Sequence, residues 1–200
     1  MRVILVQAPD YPIRNPSLGT AYLKAVLEEN GHEAVIYDLA SKVKRSGIIK
    51  TYLEGAREDR PPEHLRDKID TIIMHHAKEI LASAPDVVGF SVYNLSTLYS
   101  LWTADMLKRL APEKKIIFGG PTLLDKIIIE KLKENRFIDH FIIGEAENAI
   151  LELLDNLDDS PRIVYGKPAT DLDRLPYPSF DKKDIAIKKY PYLLPITGSR

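Results

Sequence analysis

What most constrains this chain is an alternation: short, almost unbroken apolar runs separated by longer segments whose apolar residues recur every three or four positions. The runs are Arg2 to Ala8 (RVILVQA), Glu33 to Leu39 (EAVIYDL), Asp86 to Ser91 (DVVGFS), Lys115 to Phe118 (KIIF) and Asp139 to Ile143 (DHFII). A run that is apolar at odd and even positions alike has no face to show to water, so it suits a strand covered on both sides. Between the first two runs, Leu18, Ala21, Tyr22, Ala25 and Val26 fall at helical spacing, with Asn15 and Pro16 suited to the helix start and Gly31 to its end. Helical spacing returns over 97–110, 122–134 and 145–157. Buried strands joined by helices require crossover connections, and these are right-handed by default. The expected fold is therefore α/β, a doubly wound five-stranded parallel sheet.

Two stretches interrupt the pattern. From Ala40 to Ala84 the chain is polar and longer than a simple connection; Pro61 and Pro62 suit the start of a helix whose apolar face is Leu65, Ile69, Ile72, Ile73, His76 and Ile80. After Asp158, six of the fourteen prolines fall between Pro161 and Pro195 among clustered tyrosines and lysines, which reads as an extended linker that can open with a short strand at Arg162 to Tyr165. At about 150 residues per domain, 200 residues accommodate one domain and an appendage. The expected division is a sheet domain over 1–158, with a helical insertion at about 40–84, and a linker over 159–200.

Composition removes several function classes. Lys plus Arg is 28 against Asp plus Glu 29, so the basic field behind non-specific nucleic-acid binding is missing. There is no cysteine, which excludes disulfides, thiolate zinc sites, cysteine nucleophiles and an iron–sulfur cluster held by these residues alone. No leader-like segment precedes the first apolar run and no apolar stretch approaches the about 18 residues of a membrane span. The expectation is a cytoplasmic chain with neither nucleic-acid nor membrane partners. No metal site is expected: His64 and His140 have no partner at ligand spacing, His75 and His76 lie on the insertion helix, and His76 falls on its apolar face. Tyr99 and Trp102 read as core, and Asp158 and Asp159 as a solvated turn.

An open parallel sheet binds ligands at the carboxyl ends of its strands, near the point where strand order reverses. The loops there are Pro9 to Ser17, Val92 to Ser96, Gly119 to Thr122 and Gly144 to Glu147. The first, PDYPIRNPSLG, has no glycine before Gly19, so it lacks the dinucleotide fingerprint, and no Walker A lysine loop occurs. A phosphate-accepting receiver needs an aspartate where this chain has Ser91. A flavodoxin needs a hydroxyl-rich first loop, and here there is a single Ser17. What remains is a small hydroxyl residue after the third run, Gly119 and Gly120 after the fourth, and Gly144 and Glu145 after the fifth; small residues there let a bulky flat ligand approach the sheet.

In order along the chain stand SLGTAYLKAVLEENGHEAVIYDL, PDVVGFSVYN, IIFGGPT, IIGEAE, DLDRLPYPSF and finally PITGSR. This series resembles the N-terminal cobalamin-binding domain of B12-dependent radical SAM proteins, the family that includes methyltransferases and oxidative cyclases, with PITGSR matching the stretch that precedes its cysteine motif. The resemblance implies a Rossmann-like or flavodoxin-like fold that binds a corrinoid on its strand ends, with the dimethylbenzimidazole tail entering between strand and helix. It implicates Pro9, Asp10, Asn15 and Leu18 around the first loop, and Ser91, Val92, Tyr93 and Asn94 after the third strand. Gly119, Gly120, Pro121 and Thr122 follow the fourth strand, and Gly144, Glu145 and Glu147 the fifth. The family's Gly-Glu-Gly-Glu is here Gly144, Glu145, Ala146, Glu147. The D-x-H-x-x-G histidine that ligates cobalt in methionine synthase is missing, since Asp10 is followed by Tyr11 and Pro12. Asn15, an apolar side chain or water is left to lie beneath cobalt.

The same resemblance implies that the chain ends just before a radical SAM domain, its partner, which would hold a [4Fe-4S] cluster and S-adenosylmethionine; no catalytic residue is then expected in these 200 residues. A different class of function is a non-catalytic interaction or small-molecule-binding domain that has lost its corrinoid. A third is the nucleotide-binding domain of a glycosyltransferase, which shares the sheet type but gains nothing from these loops.

Overall fold

Strands covered on both sides sort their side chains by parity, and this chain does so across one sheet. The structure, a computed structural model, describes residues 1–9, 17–39, 42, 63–169 and 171–180. Its strands are β1 (Arg2–Gln7), β2 (Glu33–Asp38), β3 (Val87–Ser91), β4 (Lys115–Gly119), β5 (His140–Gly144) and β6 (Ile163–Gly166). All pair in parallel, in the order β2-β1-β3-β4-β5-β6. The helices are α1 (Leu18–Glu29), α2 (Glu63–Ala82), α3 (Thr97–Leu110), α4 (Lys126–Leu132) and α5 (Ala146–Asp155).

On one face Ile4, Val6, Val88, Phe90, Ile116, Phe118 and Phe141 pack against α2, α3 and α4. Phe90, Phe118 and Phe141 are cross-strand neighbours and form an aromatic row, with ring centroids 5.1 and 6.4 Å apart. On the other face Val3, Leu5, Val87, Ile117 and Ile142 pack against α1 and α5. Two aspartates set the register where strands begin. Asp86 and Asp139 each donate a main-chain N–H to the neighbouring strand, at Arg2 O and Ile116 O. Each then accepts the N–H of that same residue on its carboxylate, at 2.7 Å in both cases.

The chain winds from β1 outward to β2 over α1, then from β3 to β5 over α3 and α4 on the opposite face. Reversing both direction and face preserves the hand, so these crossovers share the usual right-handed sense. The unit β5–α5–β6 moves in the direction of β3 to β5 but carries its helix on the α1 face. It therefore has the opposite hand. Five strands and α5 complete a flavodoxin-type sheet, because α5 is needed to cover Ile117 and Ile142; β6 is an edge strand added afterwards.

The sheet thus has six strands where the sequence pattern predicts five, the sixth lying where the linker was expected to open. The helix expected over 122–134 is split: Pro121–Leu124 forms a 3₁₀ turn, and α4 begins after Asp125, whose carboxylate caps the N–H groups of Ile127 and Ile128. Beyond β6 the chain returns along α1. There Ser179 donates its N–H to Ala21 O and its hydroxyl to Glu28, and Phe180 packs on the α1 and α5 core. About half of the expected insertion, residues 40, 41 and 43–62, and residues 181–200 lie outside the described residues. Among the described residues no helix is long and apolar enough to cross a membrane.

The added strand is held by a backbone crossing that only glycine permits. Gly144 lies opposite Gly166 at φ +98°, and a Cβ on Gly166 would stand 1.7 Å from the carbonyl oxygen of Glu145. Gly166→Ala is expected to lower the unfolding free energy by about 2 kcal/mol or more, measured by urea denaturation, because main chain has to move to admit the methyl group.

Candidate ligand-binding site

Beyond Val87, strand β3 carries bulk on one face only. Val88 and Phe90 fill the core under α2 and α3, whereas Gly89 and Ser91, with opposite parity, leave the α1 and α5 face almost bare. The result is a slot of about 520 Å³ between α1, α5 and the carboxyl half of the sheet. Its floor is a register row, Leu5, Gly89 and Ile117. Two residues further along the strands, Ser91 and Gly119 lie side by side at the mouth. On the walls, Leu23 and Ile150 stand about one helical turn below Gly19 and Thr20 on α1 and Ala146 and Glu147 on α5. The slot is therefore apolar at depth and polar at its mouth. Its α1 wall is tied down by Gln7, whose amide oxygen accepts the N–H of Ser17 at 3.1 Å, and by the Ser17 hydroxyl, which caps Thr20.

The β4 side of the mouth is a main-chain construction. Val92 donates its N–H to Gly119 O at 2.7 Å and accepts that of Thr122 on its own carbonyl. A Cβ on Gly120 would meet both Val92 N and O at 2.7 Å, and Gly120 has φ +106°. Gly119 differs: a Cβ there meets Ile142 O at 3.8 Å, an ordinary contact. The turn is locked further by Ser96, whose hydroxyl accepts the N–H of Tyr93 and donates to its carbonyl, and by Thr122, whose hydroxyl donates to Asn94. At the β5 side the Glu145 carboxylate accepts the N–H of Ala169 at 3.0 Å, holding the chain after β6 against the mouth. Glu147 is buried in the first turn of α5, where the helix dipole favours an acid.

No protein-family model and no curated protein matches this chain. Solved structures do. One is the radical S-adenosylmethionine methyltransferase TsrM from Kitasatospora setae with tryptophan substrate and a SAM analog bound: 18% identity, TM-score 0.51, covering 77% of this chain and 25% of that one. Another is TsrM from the same organism with cobalamin and a [4Fe-4S] cluster bound: 17% identity, TM-score 0.52, covering 88% of this chain and 26% of that one. The likeness is one of fold. This chain spans about a quarter of the length of those proteins.

Of the residues singled out from sequence, the slot brings together Ser91, Tyr93, Gly119, Gly120, Pro121, Gly144, Glu145 and Glu147. Val92, Asn94 and Thr122 stand behind its wall as the hydrogen-bonded support of the turn. Pro9 is buried at the end of β1 and Leu18 begins α1; neither lines the slot. Asp10 and Asn15 lie outside the described residues. The floor (Leu5, Gly89, Ile117), the α1 wall (Gly19, Thr20, Leu23) and Gly166 are not among the residues singled out from sequence. A signal for Gly89 was present, since an isolated glycine inside a strand marks close approach of a ligand or another chain segment.

A second polar cluster sits over the β2 edge. The Tyr37 hydroxyl donates to the Glu79 carboxylate and lies 3.2 Å from His76 Nδ1, while Lys42 Nζ is 3.0 Å from the same Glu79 oxygen. Ligand atoms of His75, His76 and Glu79 come within 4.8 Å of one another, but Lys42 already supplies a cation to this carboxylate. His76 thus serves as a buried hydrogen-bonding residue, and His140 likewise bonds Pro161 O. Burial works against ionisation of Glu79, yet the hydrogen bonds from Tyr37 and Lys42 outweigh it and hold the carboxyl at about 2. Burial pushes the His76 imidazole below the usual histidine range, against the opposing pull of Glu79.

Both groups bind fewer protons folded than unfolded, so stability rises with pH. The Glu79 contribution is complete above the ordinary carboxylate pKa and is lost as pH falls toward about 2. The His76 penalty sets in as pH drops below about 6.5. The thermal midpoint is expected to fall from about pH 7.5 to about pH 5.5, and His76→Gln should flatten that interval, as read by calorimetry across pH. At the mouth the two adjacent glycines should behave differently in urea denaturation. Gly120→Ala is expected to cost about 2 kcal/mol or more, and Gly119→Ala less than about 1 kcal/mol.

Proposed function

We propose that this chain is a corrinoid-binding domain serving a B12-dependent radical SAM enzyme. The observation that carries the reading is the slot: a deep apolar cleft with a polar mouth, opening at the strand ends beside the point where strand order reverses between β1 and β3. A corrinoid is an amphipathic ligand of matching form, a broad ring with a long tail that ends in a flat heterocycle. The residues fit the group, because Gly89 and Gly119 leave open the space that side chains would fill. The likeness in fold to a cobalamin-containing structure supports the same reading.

The tail then enters between α1 and α5, and the ring rests on the mouth formed by Ser91, Tyr93, Gly119 and Gly120. Leu124, 64% exposed on the lip of the slot, is available to cover an apolar ring edge. A bound corrinoid would supply a cobalt centre able to carry a methyl group. The first loop, PDYPIRNPS, offers cobalt no histidine. The part played by this chain is to bind and orient; the iron–sulfur cluster, S-adenosylmethionine and the substrate belong to the partner domain.

The test is reconstitution. After incubation with hydroxocobalamin and desalting, the chain is expected to retain close to one corrinoid per chain, read from the visible spectrum. Gly119→Leu, which places a side chain in the mouth, should abolish retention while leaving the circular dichroism spectrum unchanged. A folded wild-type protein that emerges colourless would refute the proposal.

A further inference from the structure

We infer that the slot discriminates among corrinoids by the base at the end of the tail, accepting a flat apolar benzimidazole and rejecting a purine. The inference rests on the corrinoid reading above and adds to it a specificity carried by the depth profile of the slot. At the bottom, Leu5, Gly89, Ile117, Leu23 and Ile150 present no side-chain donor or acceptor. Their main-chain groups are committed as well, since Leu5, Gly89 and Ile117 lie in paired interior strands and the other two lie within helices. The polar residues that line the slot, among them Thr20, Ser91 and Glu147, stand one pleat or one helical turn nearer the mouth.

A 5,6-dimethylbenzimidazole pushed to that depth buries its methyl groups and leaves little polar surface unpaired. An adenine in the same place buries an exocyclic amine and several ring nitrogens without partners. A hydrogen-bonding group desolvated in this way weakens binding by roughly tenfold to a hundredfold.

Gly89 sets the depth. It lies in register between Leu5 and Ile117, and a Cβ added there would touch Leu5 Cδ2 at 3.4 Å with no other contact within 4 Å outside its chain neighbours. A larger residue at 89 therefore fits the strand and extends into the slot. For the strand alone glycine is a poor choice, because it adds chain entropy and packs nothing. Gly89→Val should thus leave the apoprotein at least as stable while blocking the tail.

The experiment is equilibrium dialysis of the 200-residue chain against three hydroxo-corrinoids: cobalamin, its adenine-based counterpart, and cobinamide, which has no tail. Cobalamin should bind about tenfold or more tighter than the adenine form. Gly89→Val should weaken cobalamin about tenfold or more, leave cobinamide within about twofold, and not lower the thermal midpoint. Gly89→Ala should shift cobalamin in the same direction by less, and it stands in should the valine variant fail to fold. Equal affinity for the two bases, or cobalamin affinity unchanged in both Gly89 variants, overturns the specificity while leaving the corrinoid reading intact. Failure of every corrinoid to bind removes both.

Discussion

Much of this structure depends on a single asymmetry, a central strand buried on both faces whose carboxyl half carries bulk on only one. Val88 and Phe90 anchor β3 to the larger core, and Phe90 begins the aromatic row that runs through Phe118 to Phe141. That packing, with Val87 on the other side, secures the strand. Gly89 and Ser91 are therefore free to leave the α1 and α5 face open, and α1 and α5 span the gap as walls. Had positions 89 and 91 been bulky as well, the helices would have closed on the sheet there as they do around Val3, Ile36 and Val87, and no slot would exist. The cavity is a consequence of close packing elsewhere, since an interior tolerates a void of this size only where the surrounding frame cannot collapse into it.

The frame at the mouth is built from main chain. Gly120 lies against the Val92 peptide, Gly166 against the Glu145 carbonyl, and Gly144 lies opposite Gly166. These contacts bring the ends of β3, β4, β5 and β6 together at distances that side chains would prevent. The left-handed placement of β6 fits the same logic. An added edge strand, reached from a helix already committed to the α1 face, sends the chain back past Glu145 and Ala169 and along α1 as far as Phe180. The segment after Asp158 thus contributes to the sheet and to the mouth.

The fold was legible in the sequence because burial on both faces leaves a plain mark. Runs such as VILV and KIIF have no polar parity, and the helices between them have one apolar stripe each. The opposite-handed sixth strand was not legible beyond its short apolar run, because IVY is no longer than many loop fragments and handedness leaves no mark in composition. At the site, the turn glycines were legible as loop residues, but their roles were not separable: Gly119 and Gly120 are adjacent and identical in sequence, and only their backbone angles and neighbours distinguish a support from an opening. The floor was hidden for a related reason. Leu5 and Ile117 look like any core residues, and Gly89 shows its meaning only when register places it between them.

Whether the slot between α1 and α5 is a ligand site is tested most directly by a crystal structure of this chain grown with hydroxocobalamin. The dimethylbenzimidazole ring is expected between the two helices, in contact with Gly89, and the corrin over Gly119 and Gly120. A corrinoid bound elsewhere on the surface, with Leu23 and Ile150 closed over an empty floor, would contradict that placement.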